Sequence, residues 1–295
     1  MKAEEQTEQK EKEERNRLKE QASWRTERTE KNDTSGGGAM QPRRICGCIM
    51  DVDGTILDSM GIWTDLGRRY LAEHGILAED GLDRILFPKT TVQAAQYLID
   101  RYGLKESNEE VCRHFFSIID TFYREEVTEK PGAAGFLRKM KEKGIPVILA
   151  TSNEKELVYA AFRRLGLDEC ICGIVTCSEF QTDKTKPVIY REAARILQRM
   201  IDRESSAEET HRVPEQSPSN EPKKRNRRVP SEFAVFEDTF FAVQSAKSAG
   251  FFTVGVEDTA SLADREKIRT CCDRFISDYR ELLSETTGAV LTFEP

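Results

Sequence analysis

The stretch "ICGCIMDVDGTILDS", residues 45–59, runs apolar and small residues straight into two aspartates one residue apart, followed by Gly-Thr. A short apolar run closed by a turn signal reads as a strand buried on both faces, the kind found in parallel sheets. Asp51 and Asp53 stand where that strand ends. Charge beside a buried strand costs stability unless something compensates it, so the rest of the chain must explain the pair.

Five more short apolar runs follow: "IPVILATS" (145–152), "GIVTC" (173–177), "FAVFED" (233–238), "FFTVGV" (251–256) and "DRFISD" (273–278). Between them lie "GFLRKMKEK", "EKELVYAAFRRLG", "KPVIYREAARILQRM" and "TFFAVQSAKSAG", whose apolar residues recur at helical spacing and which mostly end at Gly144, Gly166 and Gly250. Alternation of this kind predicts an α/β fold, a parallel sheet with crossover helices. From 51 to 144 no convincing strand occurs. That interval holds helical patterns, "MGIWTDLGRRYLAEHG", "TVQAAQYLIDRYG" and "NEEVCRHFFSIIDTFYREE", with Ala95, Leu98, Ile99 and Tyr102 on one stripe. A helical subdomain is therefore expected to be inserted into the sheet-forming core.

In an open parallel sheet, ligands bind beyond the carboxyl ends of the strands. Here those ends carry Asp51 and Asp53, then Thr151, Ser152 and Asn153, then Glu237 and Asp238, while Lys184 and Lys186 lie before the helix that begins near Pro187. Carboxylates converging at one edge repel and raise each other's pKa values unless they share a cation. A hard divalent ion, Mg²⁺ before Ca²⁺, suits an all-oxygen set with positions left for phosphate. Asp51 can then attack phosphorus as a nucleophile, giving an aspartyl-phosphate, because the cation and a lysine neutralise the phosphoryl oxygens. Asp53 can serve as acid to the leaving oxygen and then as base to water. Gly54 lets the chain turn close to the site, and Thr151 with the amides of Ser152 and Asn153 offers anion-binding donors. Each element taken singly also has an ordinary role as cap, turn or solvated helix start; their order at successive strand ends is what points to chemistry.

Composition sets the outer limits. The chain has 295 residues, 33% of them charged, and a formal net charge of −7, which disfavours nonspecific nucleic-acid binding. The excess charge is concentrated at two places. Residues 1–43, with runs such as "KAEEQTEQKEKEERNRLKEQ", have little apolar surface to bury and are expected to be a disordered tail; Met40, close to the first strand, reads as an alternative start. Residues 203–231, ending in "KKRNRRVPS", read as a solvated, disordered insertion within the core, with "KKRNRR" as a polyanion-binding run in the competing view. No apolar stretch is long enough to span a membrane and the N-terminus has no signal-peptide core, so a cytoplasmic protein without a membrane partner is expected. The eight cysteines form no CxxC pair and are expected to be free, mostly buried thiols rather than zinc ligands.

On "DVDGTILDS", "ILATSN", "KTKPVIYREAARIL" and "VFEDTFFAVQSAKSAGF", over about 44–202 and 232–283, the chain resembles the haloacid dehalogenase-like hydrolase superfamily. The resemblance is to the helical-cap branch that includes β-phosphoglucomutase-like and phosphoglycolate phosphatase-like enzymes. It implies a Rossmann-like three-layer core (44–58 and 133–295), a mobile helical cap at 59–132, and Mg²⁺-dependent phosphoryl transfer through an aspartyl-phosphate. It implies Asp51 as nucleophile, and Asp53 as acid/base with its backbone carbonyl on the metal. Asp238 and Glu237 become metal ligands, the latter directly or through water, and Thr151 a phosphate holder. The spacing to Pro187 favours Lys184 as the lysine, with Lys186 as the alternative.

The resemblance also narrows the reaction. Dehalogenases lack the second aspartate, so Asp53 argues against that reaction. β-Phosphoglucomutases carry a cap histidine ten residues after it, where this chain has Trp63, and an indole cannot gate a proton. The expectation is a phosphatase acting on a small phosphorylated metabolite, such as a sugar phosphate, phosphoglycolate or a nucleotide. A phosphomutase is the alternative, and a noncatalytic binding protein with the same fold is the second. Trp63, Lys89 and Thr90, beside Met60, are the candidate substrate-contacting residues of the cap.

Overall fold

A computed structural model describes residues 43–86, 89–210, 228–285 and 291–293. Strands β2 (Gly47–Met50), β3 (Val147–Thr151), β4 (Gly173–Thr176), β5 (Phe233–Glu237), β6 (Phe252–Val256) and β7 (Arg274–Ile276) form one sheet in the order β4-β3-β2-β5-β6-β7. Every pairing in it is parallel. Side chains alternate between the two faces, as the period of a strand requires. Cys48, Met50, Val147, Leu149, Ala234 and Phe236 join one apolar cluster; Ile49, Ile148, Ala150, Phe233 and Val235 join another. Both faces are thus covered by helices, which is why these strands read as unbroken apolar runs.

The first cluster includes α5 (Ala133–Glu142) and extends into the inserted helices: α1 (Gly61–Glu73), α2 (Leu82–Leu86), α3 (Thr91–Tyr102) and α4 (Asn108–Thr121). Its members there include Tyr70, Ala95, Leu98 and Phe115. Helix α4 runs on into a π-helical turn, Phe122–Glu126. The second cluster is closed by α7 (Val188–Thr210) through Ile189, Tyr190, Ala193 and Leu197. The remaining helices are α6 (Lys155–Arg164), α8 (Phe240–Ser248), α9 (Arg265–Cys271) and α10 (Arg280–Glu285).

The segments that enter and leave the inserted helices run side by side. Leu57 bridges Glu129, the Asp58 amide donates to the Thr128 carbonyl at 2.9 Å, and the Lys130 amide donates to the Ile56 carbonyl at 2.8 Å. Lys130 then anchors the returning segment to the sheet. Its Nζ donates to Asp258 Oδ2 at 2.7 Å and to the Glu257 carbonyl at 2.6 Å, just past β6.

Three boundaries differ from expectation. The first run is two strands: β1 (Arg43–Ile45) pairs antiparallel with β8 (Leu291–Phe293) before β2 enters the main sheet, so Arg43 belongs to the fold, while residues 1–42 of the expected tail lie outside the described residues. Helix α7 continues through Thr210, into the stretch expected to be a disordered insertion from 203, over a sequence, "ESSAEE", that includes the good helix formers Ala and Glu. The far end of that stretch is built in as well: the Arg228 amide donates to Gln198 Oε1 at 3.0 Å and Pro230–Glu232 forms a 3₁₀ turn. Residues 211–227, with "KKRN", lie outside the described residues. All eight thiols are free, and Cys48, Cys170, Cys177 and Cys272 are buried. Among the described residues, no helix is long and apolar enough to cross a membrane.

Candidate active site

The chain visits β2, β3 and β4 on one side of the sheet, then returns to lay β5 against the other edge of β2. Topology of this kind opens a crevice at the carboxyl ends of β2, β3 and β5, and the residues there are those the strand ends predicted. Asp51, Glu237 and Asp238 are 6%, 1% and 2% exposed, and their carboxylate oxygens fall within 4.8 Å of one another.

Lys184, from the loop between β4 and α7, is the cation among them. Its Nζ donates to Asp51 Oδ1 and, at 2.8 Å, to Glu237 Oε1. Burial alone would lower the pKa of this ammonium, but the charges of Asp51 and Glu237 outweigh that and hold it above its ordinary value. Lys186 is exposed, and its backbone amide donates to the Asp183 carbonyl at 3.3 Å. Of the two lysines, Lys184, favoured by its spacing to Pro187, is the one that reaches the carboxylates.

One positive charge does not balance three negative ones. Burial, with the neighbouring carboxylates, pushes Glu237 and Asp238 well above the usual carboxylate range, against the pull of Lys184. Glu237 Oε1 accepts from Lys184 and, at 2.8 Å, from the Tyr190 hydroxyl, while its Oε2 is buried with no hydrogen-bond partner. An orphaned buried oxygen beside two further carboxylates is an all-oxygen donor set that fits a hard divalent cation.

Asp53, at the turn, is partly exposed, and its side chain meets donors from three segments. The Tyr123 hydroxyl donates to Oδ1, Ser59 Oγ donates to the same oxygen at 2.7 Å, and Asn153 Nδ2 donates to Oδ2 at 3.0 Å. Withdrawal from water and the charge of Asp51 raise its pKa, and these hydrogen bonds oppose the rise. Gly54 is needed where it stands. Its φ is +77°, and a Cβ there would lie 2.5 Å from Asp238 Oδ2, so only glycine allows the turn and the carboxylate to share that space.

Several expected donors are already committed. The Gly54 amide donates to the Leu57 carbonyl at 2.9 Å; the Asn153 amide donates to Thr151 Oγ1 at 3.0 Å and the Glu154 amide to Asn153 Oδ1 at 2.8 Å; Ser152 Oγ contacts Cys177 Sγ at 3.4 Å. Thr151, fully buried at the end of β3, accepts that amide and keeps its own proton to donate. In this conformation the Asn153 and Glu154 amides cap the loop itself, while the Thr151 hydroxyl, which accepts one of them, can still donate to an anion.

A cavity of about 370 Å³ lies among the inserted helices, lined by Met60, Trp63, Leu66, Leu86, Lys89 and Phe115, among others. Met60 connects it to the site, since its Cγ would be 3.1 Å from a Cβ at Gly54. Trp63 is 43% exposed rather than packed in the core, and Lys89 Nζ sits 5.7 Å from the Tyr97 ring centre. Thr90 does not line the cavity. It is the N-cap of α3, accepting from the Gln93 amide at 3.3 Å while Gln93 Oε1 accepts from the Thr90 amide at 3.0 Å, a reciprocal cap that accounts for its hydroxyl.

Four side chains of the site were not singled out from sequence. Thr55 donates to Asp51 Oδ2 at 3.1 Å, and Ser59, Tyr123 and Tyr190 are described above. Thr55 and Ser59 lie inside the opening stretch and Tyr190 inside "PVIY", so proximity to the motifs was a usable signal for them. Tyr123 lies seventy positions from Asp53 and carried none.

Comparison with known proteins bears on family and fold. A profile described as haloacid dehalogenase-like hydrolase matches residues 45–250. The chain is 25% identical to a bifunctional riboflavin kinase/FMN phosphatase of Arabidopsis thaliana over 83% of this chain, and spans 57% of that protein's length. It is 24% identical to a phosphorylated carbohydrates phosphatase of Thermotoga maritima, over 68% of this chain and 80% of the relative. A solved Thermotoga maritima structure, provisionally named a β-phosphoglucomutase, superposes with a TM-score of 0.63 at 22% identity over 82% of this chain and 99% of its own; at that identity the likeness speaks for the fold.

Proposed function

We propose that this chain, which belongs to the haloacid dehalogenase-like hydrolases, is a Mg²⁺-dependent phosphatase that hydrolyses the phosphoric monoester of a small metabolite through an aspartyl-phosphate. The observation that carries this is the buried group Asp51, Lys184, Glu237 and Asp238, with Glu237 Oε2 left unpartnered. Asp51, Glu237 and Asp238, with the backbone carbonyl of Asp53, would hold the metal. Bound there, Mg²⁺ supplies positive charge to the phosphoryl oxygens and relieves the repulsion among the carboxylates.

The chain's own residues do the rest. Lys184 Nζ and the Thr151 hydroxyl face the phosphoryl oxygens and lower their negative charge toward the incoming carboxylate. One oxygen of Asp51 attacks phosphorus as the bond to the leaving oxygen breaks, and Asp53 gives that oxygen its proton. Asp53 then takes a proton from water, whose oxygen attacks phosphorus, the bond to Asp51 breaks, and phosphate departs with Asp51 restored. The raised pKa of Asp53 suits a group that must hold a proton at one stage and accept one at the next.

Trp63 on the cavity wall favours hydrolysis over mutase chemistry, because the indole N–H donates hydrogen bonds but does not titrate, so it cannot exchange a proton with a sugar hydroxyl as an imidazole can. The relatives named above act on phosphorylated carbohydrates and on FMN, which supports a small phosphorylated metabolite as the substrate class. The test is a phosphometabolite panel with Mg²⁺ or with chelator, p-nitrophenyl phosphate included, and with β-glucose 1-phosphate monitored for glucose 6-phosphate. Release of phosphate that needs Mg²⁺ and vanishes in Asp51→Asn is expected. Activity surviving that substitution would refute the nucleophile, and glucose 6-phosphate formation would replace the phosphatase with a mutase.

A further inference from the structure

Tyr123 joins the inserted helices to the acid of the site. It is fully buried, and it sits on the π-helical turn Phe122–Glu126 that ends the insertion. Wide turns of this kind are rare and re-aim the side chains they carry. The turn closes with the Val127 amide on the Phe122 carbonyl at 2.8 Å, and the Arg164 guanidinium of α6 donates to the Val127 carbonyl. The turn is thereby held against the core, with the phenol directed at Asp53.

A carboxylate offers about four acceptor positions, two on each oxygen. At Asp53, Tyr123 and Ser59 take both positions on Oδ1, and Asn153 takes one on Oδ2. The one left is on Oδ2. We propose that Tyr123 is a positioning residue: by occupying Oδ1 from the inserted helices, it makes Oδ2 the oxygen that carries the proton to the leaving group, and so ties proton transfer to the placement of those helices. The inference rests on Asp53 being the general acid.

The test compares Tyr123→Phe with the unaltered chain, in Mg²⁺, on two substrates. p-Nitrophenyl phosphate expels a phenolate that is stable without a proton, whereas glycerol phosphate must protonate an alkoxide as it leaves. The constant to compare is kcat/KM, which reports transfer to Asp51 even when release of the aspartyl-phosphate limits kcat. The expected result is a fall of about tenfold or more for glycerol phosphate with less than about a threefold change for p-nitrophenyl phosphate. In an Asp53→Asn background, Tyr123→Phe should add no further selective loss. Equal losses on both substrates, or no loss, would overturn the inference while Asp53→Asn itself remains selective. An Asp53→Asn variant without selectivity would instead overturn the acid assignment and the inference with it. Should Tyr123→Phe fold poorly, a fluorinated tyrosine at 123 keeps the shape and changes the hydroxyl's donor strength; an unchanged ratio between the two substrates would then overturn the proposal.

Discussion

Replacing Lys184 by methionine keeps the length and apolar stem of the side chain and removes the one ammonium seen among three buried carboxylates. Lys184 is 7% exposed and touches two of them directly. At an effective dielectric constant of about 20, each close pair is worth on the order of 4 kcal/mol. Proton uptake by one carboxylate recovers part of that, since Glu237 and Asp238 are already held well above their ordinary range. A net loss of about 3–5 kcal/mol remains, the usual result of removing one partner of a buried pair. For a domain of this size that corresponds to a fall in melting temperature of about 6 to 20 °C.

The sign with pH follows. A carboxylate whose folded-state pKa is raised contributes stability below its unfolded value and loses it as pH rises through the folded one. The deficit of Lys184→Met is therefore smallest in acid and largest above neutrality. Added Mg²⁺ should recover more stability in the variant than in the parent chain, because the carboxylates no longer share the ammonium. Phosphatase activity should fall by about two to three orders of magnitude, as when one donor to a developing oxyanion is removed. Differential scanning fluorimetry at several pH values, with and without Mg²⁺, and p-nitrophenyl phosphate turnover supply the readouts. Lys186→Met is the internal control and should stay within about 0.5 kcal/mol of the parent. If Lys186→Met lost activity while Lys184→Met kept it, or if Lys184→Met were as stable as the parent at alkaline pH, the assignment of the site's cation would be wrong.

Two further outcomes can be measured independently. Gly54→Ala forces a side chain into φ +77° and a Cβ to within 2.5 Å of Asp238 Oδ2; calorimetry should show Mg²⁺ binding weakened about tenfold or more, with about 1–2 kcal/mol lost in stability, and unaltered Mg²⁺ affinity would contradict the close approach. At the end of α1, His74 is held above its ordinary pKa first by the Tyr70 carbonyl, which accepts at 2.8 Å, and also by the Glu106 carboxylate at 2.8 Å, against the opposing effect of burial. Its stabilisation is full below about pH 6.5 and disappears as pH rises through the raised folded-state value; the gap in urea midpoint between the parent and His74→Gln should be open near pH 6 and closed well above neutrality, and a gap constant with pH would exclude this account.

The layout of the fold was legible because it depends on period and order, which sequence carries directly. Unbroken apolar runs mark strands covered on both faces, helical spacing marks the crossovers, and a long interval without strands marks the insertion. Boundaries were less legible. β1 and β2 share one apolar run, and only the partner strand β8 shows where one ends and the other begins. Helix α7 outlasts its apolar stripe on a run that includes the good helix formers Ala207, Glu208 and Glu209.

By itself, the sequence determined which groups stand at the strand ends, since a residue's place along a strand is local: Asp51 and Asp53 after β2, Thr151 closing β3, Glu237 and Asp238 at the end of β5. Tertiary structure alone decided what those groups touch. Spacing to Pro187 favoured Lys184 over Lys186, but only the folded chain shows that one is buried against the carboxylates of Asp51 and Glu237 and the other exposed. Tyr123 reaches Asp53 across seventy positions because the chain folds back there. Hydrogen bonds form only within a few ångströms and exposed charges are screened beyond about 10 Å, so the chemistry of this site belongs to distances that exist only once the chain has closed.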